Sequence, residues 1–201
     1  VAAHAPTAPT SHTAATSTGY DSRKLFMWSF LASDCLFFGA LIATFILYRG
    51  RSLSGPGPKD VFNIPYTSVS TFVLLMSSLT MVLALAAIQR GDMRAFRVWL
   101  LATALLGCTF LGGQAFEFSD MAAKGLRPST NLFGTTFFVL TGTHGTHVGI
   151  GVLMLLSALG FSFLGKVKQE QSIYIELLGL YWHFVDIVWI VIFTVIYLAR
   201  V

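Results

Sequence analysis

The stretch FGTTFFVLTGTHGTHVGIGVLMLLSALGFSFL, Phe133 to Leu164, runs 32 residues without an Asp, Glu, Lys or Arg. As a helix it is about 48 Å long, more than the ~30 Å hydrocarbon core of a bilayer, so it must tilt or protrude. A membrane strand would alternate polar and apolar residues over about ten positions. Here FFVLTG, like WIVIFTVIYL near the C terminus, is apolar on every side. The segment reads as a transmembrane helix.

Four further runs reach spanning length on the same criterion: residues 25–48, 67–88, 98–118 and 173–199. With 133–164 they predict an all-α integral membrane bundle of five helices. Composition agrees. The chain is 55% hydrophobic and 11% charged, where a soluble domain carries about a quarter charged residues. The net charge of +4 comes from short loops and forms no basic run suited to nucleic acid. Residues 1–22, rich in Ala, Thr and Pro, lack the basic and apolar regions of a secretory signal and read as a flexible tail, with His4 and His12 incidental. Residues 23–201 form the transmembrane domain. Cys35 and Cys108 lie in apolar runs and are expected as small hydrophobes in a packed interior. Pro65 signals the start of the second helix, and Ser129 or Thr130 is expected to cap the fourth.

An odd number of spans puts the termini on opposite sides. The N-terminal side carries Arg23, Lys24, Arg90, Arg94, Arg97, Lys166 and Lys168; the other carries Arg49, Arg51, Lys59, Lys124, Arg127 and Arg200. The excess of one basic residue puts the N terminus in the cytoplasm and the C terminus outside it.

Ionisable groups inside a span are costly, and they pair or face protein or water. Asp34, Glu117, His144, His147, His183 and Asp186 qualify. Depth estimated from helix rise matches Asp34 with His183 in the N-terminal half and His147 with Asp186 nearer the midplane. Glu117 lies near the opposite interface, within reach of loop groups or Gln114. The two histidines of THGTH could supply two metal ligands, but no spacing completes a tetrahedron. Adjacent positions cannot clamp one haem iron from both sides, although His183 could pair with either. A proton wire is chemically open to imidazole and carboxylate. Packing is the favoured reading: Gly142, Gly145 and Gly149 form a small-residue stripe beside the histidines, with Gly107, Gly112 and Gly113 as a facing groove. On that reading Gly145→Leu lowers assembly more than turnover per assembled complex.

ATFILYRGR (43–51), GQAFEF (113–118), FFVLTGTHGTHVGIG (137–151) and YWHFVDIVWIVIFTVIYL (181–198), in that order, resemble subunit III of the haem-copper respiratory oxidases. The resemblance runs from about Arg23 to Arg200. It implies a non-catalytic subunit in a bacterial plasma membrane, docked against subunit I, which carries the haems and copper, in a complex with subunit II and a small subunit IV. No cofactor or metal is then bound by this chain, while phospholipid is. The five spans correspond to the short form of the family, which lacks the first two of seven helices. The implied role is assembly, stability and sustained proton uptake in a proton-pumping oxidase. Asp34 falls where the mitochondrial type has a carbodiimide-reactive glutamate, one methylene longer, as in the quinol-oxidase branch. Glu117 matches the Q-x-x-E-[YF] element, and His144, His147, His183 and Asp186 match the two signature motifs as structural groups. YWHFVDIVWI and GQAFEF lean to cytochrome c as the donor, with a quinol oxidase as the alternative. An independent transporter would show internal repeats or broken helices, and neither is present; a haem-bearing carrier has unsuitable ligand positions.

Overall fold

The computed structural model describes residues 21–48 and 64–198. The expected tail up to Tyr20, with His4 and His12, and most of the long loop after the first span lie outside the described residues. The elements are α1 (Ser22–Tyr48), α2 (Ile64–Gln89), α3 (Met93–Ala123), α4 (Leu132–Phe163) and α5 (Ser172–Phe193). A single 3₁₀ turn, Gln169–Gln171, leads into α5, and its end widens into a π-helical stretch, Thr194–Leu198. All five, α5 with its flanking turns, are long and apolar enough to cross a membrane. The protein is an all-α, multi-pass bundle.

The helix ends follow local chemistry. Asp92 caps α3 by accepting from the backbone N–H of Arg94 and Ala95 at 3.1 and 3.0 Å. That cap draws Met93–Arg97, expected as loop, into the helix. α3 continues to Ala123 on the far side and so has 31 residues. Asn131, rather than Ser129 or Thr130, caps α4 by accepting from Gly134 N–H at 2.7 Å. Thr130 is occupied within the preceding turn, where its hydroxyl accepts from Arg127 N–H and donates to the Gly125 carbonyl. α2, α3 and α4 each end on a glycine at positive φ, Gly91, Gly125 and Gly165. In each case the next residue's N–H reaches back five positions, as in Asp92 to Ala87 at 3.0 Å. This is the Schellman arrangement, and glycine enters it without Cβ strain.

Buried positions recur in alternating steps of three and four. α3 buries Phe96, Leu100, Thr103, Gly107, Phe110, Gln114, Glu117 and Met121, and α2 buries Thr67, Thr71, Leu74, Ser77, Met81 and Ala84. A 3.5-residue repeat keeps one seam facing a neighbour over the whole helix. Small and polar residues fill these seams, while Phe72, Leu79, Val98, Leu105 and Phe116 point outward. In lipid the outside is as apolar as the inside, so close packing and hydrogen bonds, not hydrophobic burial, hold helices together.

α4 packs on α1, α3 and α5, and α5 packs on α1, α2 and α4, while α3 packs on α2 and α4. The side from which α1 starts is stitched by polar contacts. Arg97 donates through Nε to Ser162 Oγ at 2.9 Å and through Nη2 to the Ser162 carbonyl at 2.7 Å. Gln169 donates to the last carbonyl of α2, Gln89, at 2.7 Å. Lys24 and Glu176 pair at 2.6 Å between the starts of α1 and α5. Cys35 and Cys108 are exposed on the outer surface rather than in the packed interior expected of them.

Candidate functional site

The polar groups form an antiparallel ladder between α2 and α5. Trp182 Nε1–H donates to Ser77 Oγ at 3.0 Å, and Trp189 Nε1–H donates to Thr71 Oγ1 at 3.0 Å. Each hydroxyl passes its own proton to a carbonyl of its own helix, Leu74 at 2.5 Å and Thr67 at 2.7 Å. Both rungs are therefore satisfied without water. Beside the first, Ser78 Oγ and His183 Nδ1 lie 2.5 Å apart. At the far end Glu117 of α3 accepts from Thr67 Oγ1 at 2.8 Å and from Tyr197 Oη at 3.1 Å. One carboxyl thus joins three helices, and its donors are these hydroxyls rather than Gln114. Gln114 instead donates to the Thr141 carbonyl of α4 at 2.8 Å.

Neither expected pair forms. His147 Nε2, not His183, faces Asp34 Oδ2, at 3.7 Å. His183 turns to Ser78, and neither oxygen of Asp186 has a hydrogen-bond partner although the residue is buried. Depth from helix rise set Asp34 and His147 in different layers, although they meet, and left the direction of each group around its helix axis open. His147 points to α1 because it is three positions, about 300°, from His144 on the helix; His144 takes the inward direction. His144 is fully buried, stacks on Trp189 with centroids 4.8 Å apart, and meets the ring of Phe110 at 6.0 Å. Its two ring nitrogens have no hydrogen-bond partner.

The glycine stripe is displaced in the same way. A Cβ at Gly142 or Gly149 would meet nothing within 4 Å, so neither is a close-approach position in this chain. Gly142 and Gly145 line a shallow furrow between α3 and α4. At Gly145 a Cβ would lie 2.8 Å from Gln114 Oε1. Contacts as tight are made at Gly107 and Gly151, where it would lie 2.7 and 2.8 Å from the Trp182 ring. Of the expected facing groove, Gly107 takes part, Gly112 has nothing within 4 Å, and Gly113 faces Tyr66 and Ser70 of α2. Sequence reasoning missed Gly151, Ser77, Thr71 and the two tryptophans. Their signal was the seven-residue spacing of Trp182 and Trp189 against hydroxyl residues, 71 and 77 among them, in a span free of charged residues.

The three membrane histidines do not converge: His144 lies against Trp189, His147 against Asp34 and His183 against Ser78. Among the described residues no group of three or more His, Cys, Asp or Glu is placed to hold a metal ion. The arrangement fastens helices and can hold protons.

A family model described as cytochrome c oxidase subunit III matches residues 3–200. Cytochrome bo(3) ubiquinol oxidase subunit 3 of Pseudomonas aeruginosa is 38% identical over 171 residues, 85% of this chain and 82% of that protein. Quinol oxidase subunit 3 of Bacillus subtilis is 38% identical over 171 residues, 85% and 84% of the two chains. Cytochrome c oxidase subunit 3 of Bacillus sp. strain PS3 is 34% identical over 181 residues, 88% and 86%.

Proposed function

The chain belongs to the cytochrome c oxidase subunit III family, and from that premise we propose that it is the non-catalytic third subunit of a quinol oxidase. The observation that carries the choice of donor is that two quinol-oxidase subunits match at 38%, against 34% and 36% for two cytochrome c oxidase subunits. This reverses the lean of YWHFVDIVWI and GQAFEF toward cytochrome c. The physical reason is that subunit III does not touch the electron donor, so motifs that fasten its helices carry no information about it.

Within the complex the chain acts as a scaffold. Asp34, Glu117, His144, His147, His183 and Asp186 fasten or fill the bundle and ligate no redox centre; the partners found for Asp34, Glu117, His147 and His183 within the chain support this. Electron transfer and oxygen reduction belong to the haems and copper of subunit I, with subunits II and IV completing the assembly. The N terminus is cytoplasmic in a bacterial plasma membrane, and assembly, stability and sustained proton uptake are the contributions of this chain. Phospholipid covers its apolar outside. A groove of about 350 Å³ walled by Phe161, Val167, Ile175 and Leu178, with Lys166 at its rim, suits an acyl chain under an anionic headgroup.

The test is oxygen consumption by the complex purified through a tag on this chain. Turnover with a reduced quinol and none with reduced cytochrome c is the expected result. Turnover with reduced cytochrome c alone overturns the quinol assignment and leaves the family intact.

A further inference from the structure

The contact between α1 and α4 sets a proton-counting problem. His147 Nδ1 lies 2.8 Å from the Thr143 carbonyl oxygen. A carbonyl only accepts, so Nδ1 must carry a hydrogen. In a neutral imidazole the other nitrogen, Nε2, then has none and presents a lone pair. That nitrogen faces Asp34 Oδ2 at 3.7 Å, and Oδ2 is buried with no hydrogen-bond donor. A neutral ring beside an ionised carboxylate would set two acceptors against each other and leave one uncompensated negative charge deep within a span. Both are costly where water is scarce.

The neighbours do not relieve this. From α5, Tyr181 faces the pair, but its hydroxyl donates to the His147 carbonyl at 3.0 Å. From α1, Phe38 presents a ring edge to His147 with centroids 5.0 Å apart. His144, one turn away on α4, is stacked on Trp189. Among the described residues the one basic group within 4.0 Å of the Asp34 carboxyl is His147.

We infer that Asp34 and His147 form a proton-binding site that carries one proton, on Oδ2 or on Nε2, in addition to the hydrogen fixed on Nδ1. Whether that proton sits on oxygen, as a carboxylic acid facing imidazole, or on nitrogen, as imidazolium facing carboxylate, the pair is neutral overall. The site lies at the contact between α1 and α4. It requires no particular electron donor and stands apart from the quinol assignment.

Infrared difference spectra of the intact complex at neutral pH, wild type minus Asp34→Asn, test the proton count. Asparagine can donate N–H to the bare Nε2, so this variant should assemble. A carboxylic-acid C=O band lost in the variant supports the site, and so does a carboxylate band lost together with an imidazolium band. A carboxylate band lost while His147 stays a neutral imidazole overturns it. If Asp34→Asn fails to accumulate, His147→Gln is read the same way: a displaced carboxylic-acid band, or loss of an imidazolium band, supports the site. An unchanged carboxylate band with no imidazolium lost overturns it.

Discussion

α5 and α1 are both apolar spans, yet the bundle holds them differently. α5 buries ten residues between Ile175 and Ile192, among them Trp182, Asp186 and Trp189. α1 buries three, Leu31, Phe38 and Phe45, one per heptad, and leaves Phe26, Trp28, Leu36 and Phe37 outside. The grip on α5 is steric and directional: Trp182 lies between Gly107 and Gly151 and donates to Ser77. The grip on α1 is a row of phenylalanines, such as Phe45 against Phe133 at 5.9 Å, with the Asp34–His147 contact and a half-exposed ion pair at its start. Hydropathy cannot separate the two, because it measures transfer into lipid, which both helices satisfy. What separates them is where small residues and hydroxyls let backbones approach.

The largest effect is expected at Trp182→Ala. The residue is fully buried, and its loss should lower bundle stability by about 3–5 kcal/mol, read as a lower thermal midpoint of the purified complex. If the midpoint does not move, Trp182 does not anchor α5 in the bundle. Gly151→Leu should cost roughly 1–3 kcal/mol by overpacking, because a Cβ there is 2.8 Å from the Trp182 ring. Complex yield should fall while turnover per assembled complex holds. Glu117→Leu removes the acceptor for Thr67 and Tyr197 and should cost about 1–2 kcal/mol at roughly 1 kcal/mol per bond. Proteolysis at the end of α5 should rise before global unfolding.

On the α1 side the effects are smaller. Lys24→Ala breaks an ion pair whose side chains are 38% and 34% exposed, so solvent screening limits the loss to about 0–1 kcal/mol. A thermal midpoint equal to wild type within error is the expected reading. Gly142→Ala should leave the isolated chain unchanged or slightly more stable, by up to about 1 kcal/mol, since a Cβ there meets nothing within 4 Å. If yield of the whole complex alone falls, another chain approaches that glycine.

Much of the fold was legible in the sequence, and the limit has a physical form. Length and hydropathy located five spans. Rotation about each helix axis was not legible from hydropathy, since every face of these spans is apolar. That missing angle brought His147 to Asp34 in place of His183 and left Asp186 without either histidine. It also moved the glycine contact from Gly142 and Gly149 to Gly151. An inverted amphipathicity carried the angle all along: Thr67, Thr71 and Ser77 turn inward on α2 while Phe72, Met76 and Leu79 turn out. In a soluble helix the same residues would face the other way.

The most direct measurement is purification of this chain by a tag from its native membrane in mild detergent, followed by an optical spectrum and identification of what accompanies it. A scaffold subunit predicts co-elution with a haem-bearing subunit I and a haem spectrum that leaves the chain when subunit I is stripped away. A chain that elutes alone, or keeps a Soret band after that separation, contradicts it.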